Sequence, residues 1–422
     1  MNRQSLPRLS AAICECSILL YVAWLLLPAA QAAGHAVTGA AAVALFGLGA
    51  ALDFERLKRE WPGLAARALC AALMPLLLRR FLSRGGSNFA GFYVQQAMFW
   101  FPLVFAGYAR GRGDERLWRY LRAALLVCVC VTVCTTIAWL IQGMLRGGRV
   151  YAYSRSLGYG GEGREAYLKE LMLRNIGGYD FVYAMVIALP LTCLGIQRHG
   201  GWRRACFCAL LAAQSVMIVL SQYTYAMLFC AAILAVEGVA ALIRRASRGR
   251  IGLGKSLLLG LLPLLMGLLL IKPLALLGAR VCGGLGLTNF AHSFEQLLLA
   301  LSGQRQLSAD SRLSYYLEAL RGFAASPLLG SLAGAPQRLS QHSDVLDLLS
   351  GTGLLGTAAF GGMVWVMGRG TLRGARRSPC LGQLCVMYAA LFAVALLGTV
   401  FYSRDICAVC ALGTLLALEG DV

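Results

Sequence analysis

The chain of 422 residues is 59% hydrophobic, with a mean hydropathy of +0.67, which excludes an ordinary soluble globular protein. Its formal net charge of +20 would on its own point to nucleic acid. The basic residues, however, fall in short segments between long apolar runs, which points to a membrane surface and away from nucleic acid.

The apolar runs recur from end to end and reach about 20 residues, the length a helix needs to cross a bilayer. In lipid only helices and closed barrels satisfy their own backbone, and continuous, non-alternating runs predict helices. We expect an all-α polytopic membrane protein, one integral membrane domain over residues 1–422, with about twelve transmembrane helices. In chain order they lie near 11–30, 36–52, 64–78, 91–109, 121–143, 179–196, 205–221, 223–243, 256–277, 345–367, 381–402 and 406–418. The first follows a basic N-terminus and reads as an uncleaved signal anchor. The uncharged run 205–236 is too long for one span and turns at Ser221-Gln222-Tyr223-Thr224. The N-terminus and the segments beginning "ERLKRE", "RGRGDERLWRYLR", "RHGGWRR", "RRASRGRIGLGK" and "RGTLRGARR" hold 22 of the 39 Lys and Arg. This positive-inside bias places both termini in the cytoplasm. Four charges fall within spans, Glu15, Arg67, Glu237 and Lys272. Each is near a predicted end, so snorkelling is expected. The 15 cysteines lie almost entirely in or beside spans, lack zinc-ligand spacing and read as small buried apolar residues.

Two outer segments are long, 144–178 and 278–343, and both have helical patterning that predicts structured extracytoplasmic loops. "GREAYLKELMLR" pairs Glu165 with Lys169 and Glu170 with Arg174 at i,i+4, and aligns Tyr167, Leu168, Leu171 and Met172 on one face. In the second loop Phe290, Phe294, Leu297, Leu298 and Leu301 follow helical spacing. So do Leu313, Tyr316, Leu317, Leu320 and Phe323, up to Pro327. These helices are expected to cap the bundle or to cover a cavity that opens outward.

The candidate chemical residues gather near the end of this loop. "SQHSDVLDLLSGTGLLG" (340–356) places His342, Asp344 and Asp347 at the start of an apolar helix. Arg312 stands in the first turn of its own predicted helix, where the macrodipole disfavours a cation. Either Asp310 pairs with it or it faces an anion. The outer basic residues, Arg174 and Arg338 among them, are mostly arginines, whose planar fork suits phosphate oxygens.

The order from Arg312 onward is an arginine-bearing helix, "SPLLGS", a polar link, "QHSDVLDLL" and "GTGLLG". It resembles the signature of the O-antigen ligase and polysaccharide polymerase superfamily. The resemblance covers about 45 residues in order and spacing, 311–356, and the rest of the chain in architecture. "RNIGGYDFVYAMVIALPL" (174–191) is similar to the segment opening that family's middle spans. Ser343 stands where the family usually has Asn after the histidine. Ser221-Gln222 stands where it often has Ser-Arg, so Arg174, Arg155 or Arg338 would replace that cation.

The resemblance implies a glycosyltransferase of the cytoplasmic (inner) membrane that uses neither cofactor nor metal. Its donor would be a polyprenyl-diphosphate-linked oligosaccharide, held among membrane lipid. His342 would serve as general base and Arg312 as diphosphate contact, with Arg174, Arg338, Gln222, Asp344 and Asp347 around the substrate. A chain-length regulator or a flippase would be its partner. Polymerase is the preferred activity and ligase the alternative. A lipid or polysaccharide transporter and a non-catalytic scaffold are the readings from other classes.

Overall fold

The computed structural model describes residues 5–82, 115–147, 164–246, 271–284, 312–333, 343–375, 380–398 and 403–419, with isolated positions between them. Among these residues every regular element is helical and no strand occurs. The helices are α1 (Ser5–Leu26), α2 (Pro28–Leu52), α3 (Phe54–Leu82), α4 (Glu115–Gly147), α5 (Arg164–Leu173), α6 (Tyr179–Arg198) and α7 (Gly201–Leu220). They continue with α8 (Thr224–Ala246), α9 (Ile271–Gly284), α10 (Arg312–Ala325), α11 (Asp344–Ala375), α12 (Leu381–Leu397), α13 (Arg404–Ala408) and α14 (Thr414–Glu419). A 3-10 turn, Gly330–Ala333, follows α10, and a π turn, Val409–Gly413, joins α13 to α14.

Six of these helices are long and apolar enough to cross a membrane: Leu6–Leu26, Leu117–Leu145, Tyr179–Arg198, Gly201–Leu220, Tyr225–Leu242 and Asp344–Arg369. The bent pair Pro28–Gly34 and Val37–Leu52 makes a seventh if it is one span. They suggest a membrane protein. The expected count of about twelve is not reached among the described residues. Most of each of the expected spans at 91–109 and 256–277 lies outside them. The helix over 381–402 stops at Leu397, short of a full span. That over 406–418 is divided by the π turn, and α3 over 64–78 is not among the six.

The described chain groups into two compact units where the sequence predicted one domain. The first comprises Met1–Val129, Ser308–Ser378 and Leu391–Val422. Its α1 and α2 pack antiparallel, and small residues set the register. Ser10 and Ser17 donate to the carbonyls of Gly49 and Ala42, each at 2.6 Å, and Gly39 lies against the Trp24 ring. Such small-residue seams let helix backbones approach closely where apolar surface alone gives no preference for protein over lipid. Tyr21, Phe46, Phe101 and Phe105 form the aromatic centre of its core through tilted and edge contacts.

The second unit comprises Cys130–Leu307 and Pro379–Ala390. There α6 is the most buried helix, packed against α7 and α8. Of the stripe expected on α5, Leu168 and Leu171 pack with Trp139 of α4 and Ile176, whereas Tyr167 is exposed. α9 runs on to Gly284, seven residues into the stretch expected to be outer loop, and its buried Cys282 packs with Phe294.

Candidate functional site

α11 begins at a well-made cap. Ser343 is the N-cap residue, and its Oγ accepts the Leu346 amide at 3.2 Å. The Asp347 amide donates to the Ser343 carbonyl at 2.9 Å. Asp344 joins this start to the end of α12. Its amide donates to the Gly398 carbonyl at 3.1 Å, and its carboxylate accepts the Val400 amide. Asp344 and Asp347 are only 2% and 3% exposed, and both fall in the first turn, where the helix dipole favours an anion. The Asp344 carboxylate therefore has a structural duty, holding the backbone just past α12.

α10 lies beside the first part of α11 and is fixed to this region at both ends. Near its start the Tyr316 hydroxyl donates to the Leu397 carbonyl at 3.5 Å, next to Gly398. At its far end the "SPLLG" turn inserts into a break in α11 at Gly353, whose φ of 63° and ψ of −169° only glycine adopts readily. The break frees two amides of α11. Leu354 donates to the Pro327 carbonyl at 2.9 Å and Leu355 to that of Leu328 at 3.1 Å. Ser331 donates to the Gly351 carbonyl at 3.1 Å. Gly330, with φ of 60°, completes the contact: a Cβ there would fall 2.5 Å from the Gly353 nitrogen. The segments "SPLLG" and "GTGLLG" thus meet, backbone against backbone.

The face by which α10 packs differs from the expected stripe. Ala319 and Gly322 are buried and Tyr316 and Phe323 partly so, whereas Leu317 and Leu320 are exposed. Close approach to α11 selects small side chains and turns the leucines outward.

Of the predicted site residues, the first unit brings together Asp344, Asp347 and the backbone of the Arg312 helix. His342, Arg338 and the Arg312 side chain lie outside what the structure describes. Arg174 and Gln222 belong to the second unit. Arg174 is exposed and paired with Glu170 at 2.5 Å, the i,i+4 pair expected from the sequence. Gln222 sits in the turn between α7 and α8 with φ of 56° and no exposure, so its side chain offers no surface to a ligand in this conformation.

Three groups in the second unit escaped sequence reasoning. Asn175 (φ 59°) closes α5 in a Schellman-type turn, with Ile176 donating to Leu171 and its own amide to Met172. A threonine ladder on α4 grips this turn. Asn175 Nδ2 donates to Thr132 at 3.0 Å, the Gly177 amide to Thr136 at 2.8 Å, and Thr135 to the Asn175 carbonyl at 2.6 Å. Close by in sequence, Tyr179, Tyr183 and Tyr223 cluster, with centroids 4.7 to 6.3 Å apart. Third, Glu237 does not snorkel. It is buried and accepts from Gln197 at 3.4 Å, whose own carbonyl accepts from Gln383 at 3.0 Å. The turn residues "RNIGG" were a readable signal for Asn175. Nothing local pairs Gln197 with a glutamine 186 positions away.

Among the described residues no group of three or more His, Cys, Asp or Glu side chains is placed to hold a metal ion. No protein-family model matches the chain, and no curated protein shows significant similarity to it.

Proposed function

We propose that this protein is a glycan polymerase of the cytoplasmic membrane, with both termini cytoplasmic and about twelve spans. It joins polyprenyl-diphosphate-linked oligosaccharide units on the outer face. The observation that supports the reading is the contact between its two glycine motifs. "PLLG" and "GLLG" match the "PLLG-x-G" and "G-L-x-G" parts of the family pattern, the first running on as "PLLGSLAG" in a departure from it, and here each fills the other's backbone gap. That contact sets the Arg312 helix alongside the helix that follows His342. Ser343, the departure from the family's Asn, serves as N-cap, a position where Asn and Ser are about equally good.

In this reading the acceptor hydroxyl oxygen bonds to the anomeric carbon as the bond from that carbon to the diphosphate oxygen breaks. The electron pair leaves with the lipid diphosphate, and the hydroxyl proton passes to His342 as general base. Arg312 stabilises the charge that develops on the leaving diphosphate. Asp344 or Asp347 orients the imidazole, and Asp344 also holds the Val400 amide. Arg174 and Arg338 are the remaining candidate anion contacts. A flippase supplies the donor and a chain-length regulator limits the product.

The test is a gel of lipid-linked glycans from a deletion strain complemented by wild type, His342→Ala or Arg312→Ala. Single units accumulate in the deletion and in both variants, and long chains return only with wild type. Folded, inserted and fully active variants sink the assignment. Long lipid-linked chains that never reach a final acceptor identify a ligase instead. Unchanged glycans in every strain favour a transporter or scaffold.

A further inference from the structure

α10 belongs to a segment expected to lie outside the membrane, yet its packing follows α11, a candidate span. Tyr316 meets Leu397, whose neighbour Gly398 holds the first residue of α11. Eleven residues on, Pro327 meets Leu354, ten residues into α11. At about 1.5 Å per residue these are similar lengths, about 17 Å of α10 against about 15 Å of α11. The two helices therefore run side by side in the same direction from the Asp344 end, and the "SPLLG" turn lies about 14 Å along the span.

Two observations indicate what surrounds this turn. First, the amides that the break in α11 frees are taken up by the turn itself. The amides freed at the break in α11 find the Pro327 and Leu328 carbonyls, the Gly330 amide finds the Ser326 carbonyl at 2.8 Å, and Ser331 covers the Gly351 carbonyl. Such closure is what a break inside hydrocarbon requires. Second, the outward surface is leucine. Leu328 is 60% exposed and Leu355 58%, with Leu317, Leu320, Leu329 and Leu354 exposed around them. A contiguous apolar patch is a liability in water and ordinary against lipid. Of the charged residues of α10, Arg321 follows Leu317 by one turn and so borders the leucine face, with Glu318 beside it; both are exposed and within two turns of Tyr316, where long side chains can reach the interface.

We infer that α10 and the turn at its C-terminal end form a re-entrant element embedded in the bilayer, with the leucine face in contact with lipid hydrocarbon. The chain enters beside Asp344, turns at Gly330 about a third of the way along the span, and is back at the same level by Ser343. This holds whether or not the protein is a glycan polymerase.

Single-cysteine additions test it in membranes opened by freeze–thaw. A water-soluble polyethylene-glycol maleimide is applied, and the extra mass over wild type is read on a gel. Lys169→Cys, on the exposed polar face of α5, reacts to completion. Leu328→Cys and Leu355→Cys stay unlabelled over the same time and react once the protein is denatured. A second readout places tryptophan at the same sites. Leu328→Trp adds emission quenched by bromine-labelled lipid chains and not by aqueous acrylamide. Labelling of Leu328→Cys as fast as Lys169→Cys overturns the inference and returns α10 to an aqueous cap. A tryptophan quenched by neither agent also overturns it, because protein then covers the patch.

Discussion

Gly353→Ala should be among the most damaging small substitutions in the chain. The backbone there (φ 63°, ψ −169°) is open to glycine and strained for any other residue, at about 1–3 kcal/mol. The added Cβ would also lie 2.4 Å from the Leu328 carbonyl carbon and oxygen, so the turn must retreat. Retreat breaks the Leu354–Pro327 and Leu355–Leu328 bonds, each worth about 0.5–1.5 kcal/mol net. The sum is roughly 2–6 kcal/mol. At about 2–4 °C per kcal/mol for a large domain, the apparent Tm falls by roughly 4–24 °C. The assay is the fraction of detergent-purified protein that stays monodisperse after heating. Gly361→Ala and Gly362→Ala are the controls. They lie in the same helix, a Cβ there meets nothing within 4 Å, and alanine is the better helix former, so Tm holds or rises. Gly330→Ala should match the loss, and the double variant should fall short of the sum because both act on one contact. A Gly353→Ala protein as stable as Gly361→Ala refutes the reasoning.

The remaining predictions use the same heating assay. Asp344→Asn keeps an acceptor for the Val400 amide and stays close to wild type, whereas Asp344→Ala strands that buried amide and loses about 1–3 kcal/mol. Thr136→Val removes the acceptor of the Gly177 amide at a similar cost of about 1–3 kcal/mol, and Thr136→Ser restores it. Asn175→Gly tolerates the φ of 59° and loses only the bond to Thr132, about 1 kcal/mol. Asn175→Val adds β-branched strain and loses clearly more.

What was legible in the sequence, and what was not, follows from which physical rule each residue obeys. Run length is set by the bilayer, so the helices around 11–30, 121–143, 179–196 and 345–367 could be read from apolar stretches alone. α5 could be read because it obeys the aqueous rule of apolar side inward, and Leu168 and Leu171 do pack on Trp139. The same rule misplaced α10. Of the stripe expected to pack over the bundle, Tyr316 and Phe323 are partly buried, but Ala319 and Gly322 are the buried residues and Leu317 and Leu320 face out. Between helices in lipid, a leucine gains little by leaving hydrocarbon for protein, while a small residue gains van der Waals contact by letting backbones meet. Periodicity is identical in the two cases, so only the surroundings decide which face is inside.

The polar residues divide in a similar way. A carboxylate at the start of a helix beside a histidine has the pattern of chemistry, and Asp344 was read so. Its partner, Val400, is 56 positions away, and no local pattern announces it. Gly351, Gly353 and Gly356 are equivalent in the string "GTGLLG", yet only Gly353 takes a positive φ, because only there does "SPLLG" arrive. Glycines in such a signature are explained by two segments that must touch. A motif recognised as two separate short strings is therefore better tested as one contact than as two. This also bears on the chemistry. If the Gly330–Gly353 contact positions the Arg312 helix, a variant that loosens it while the protein remains folded should lose chain elongation as His342→Ala does. His342 remains intact in that variant, which separates positioning from proton transfer.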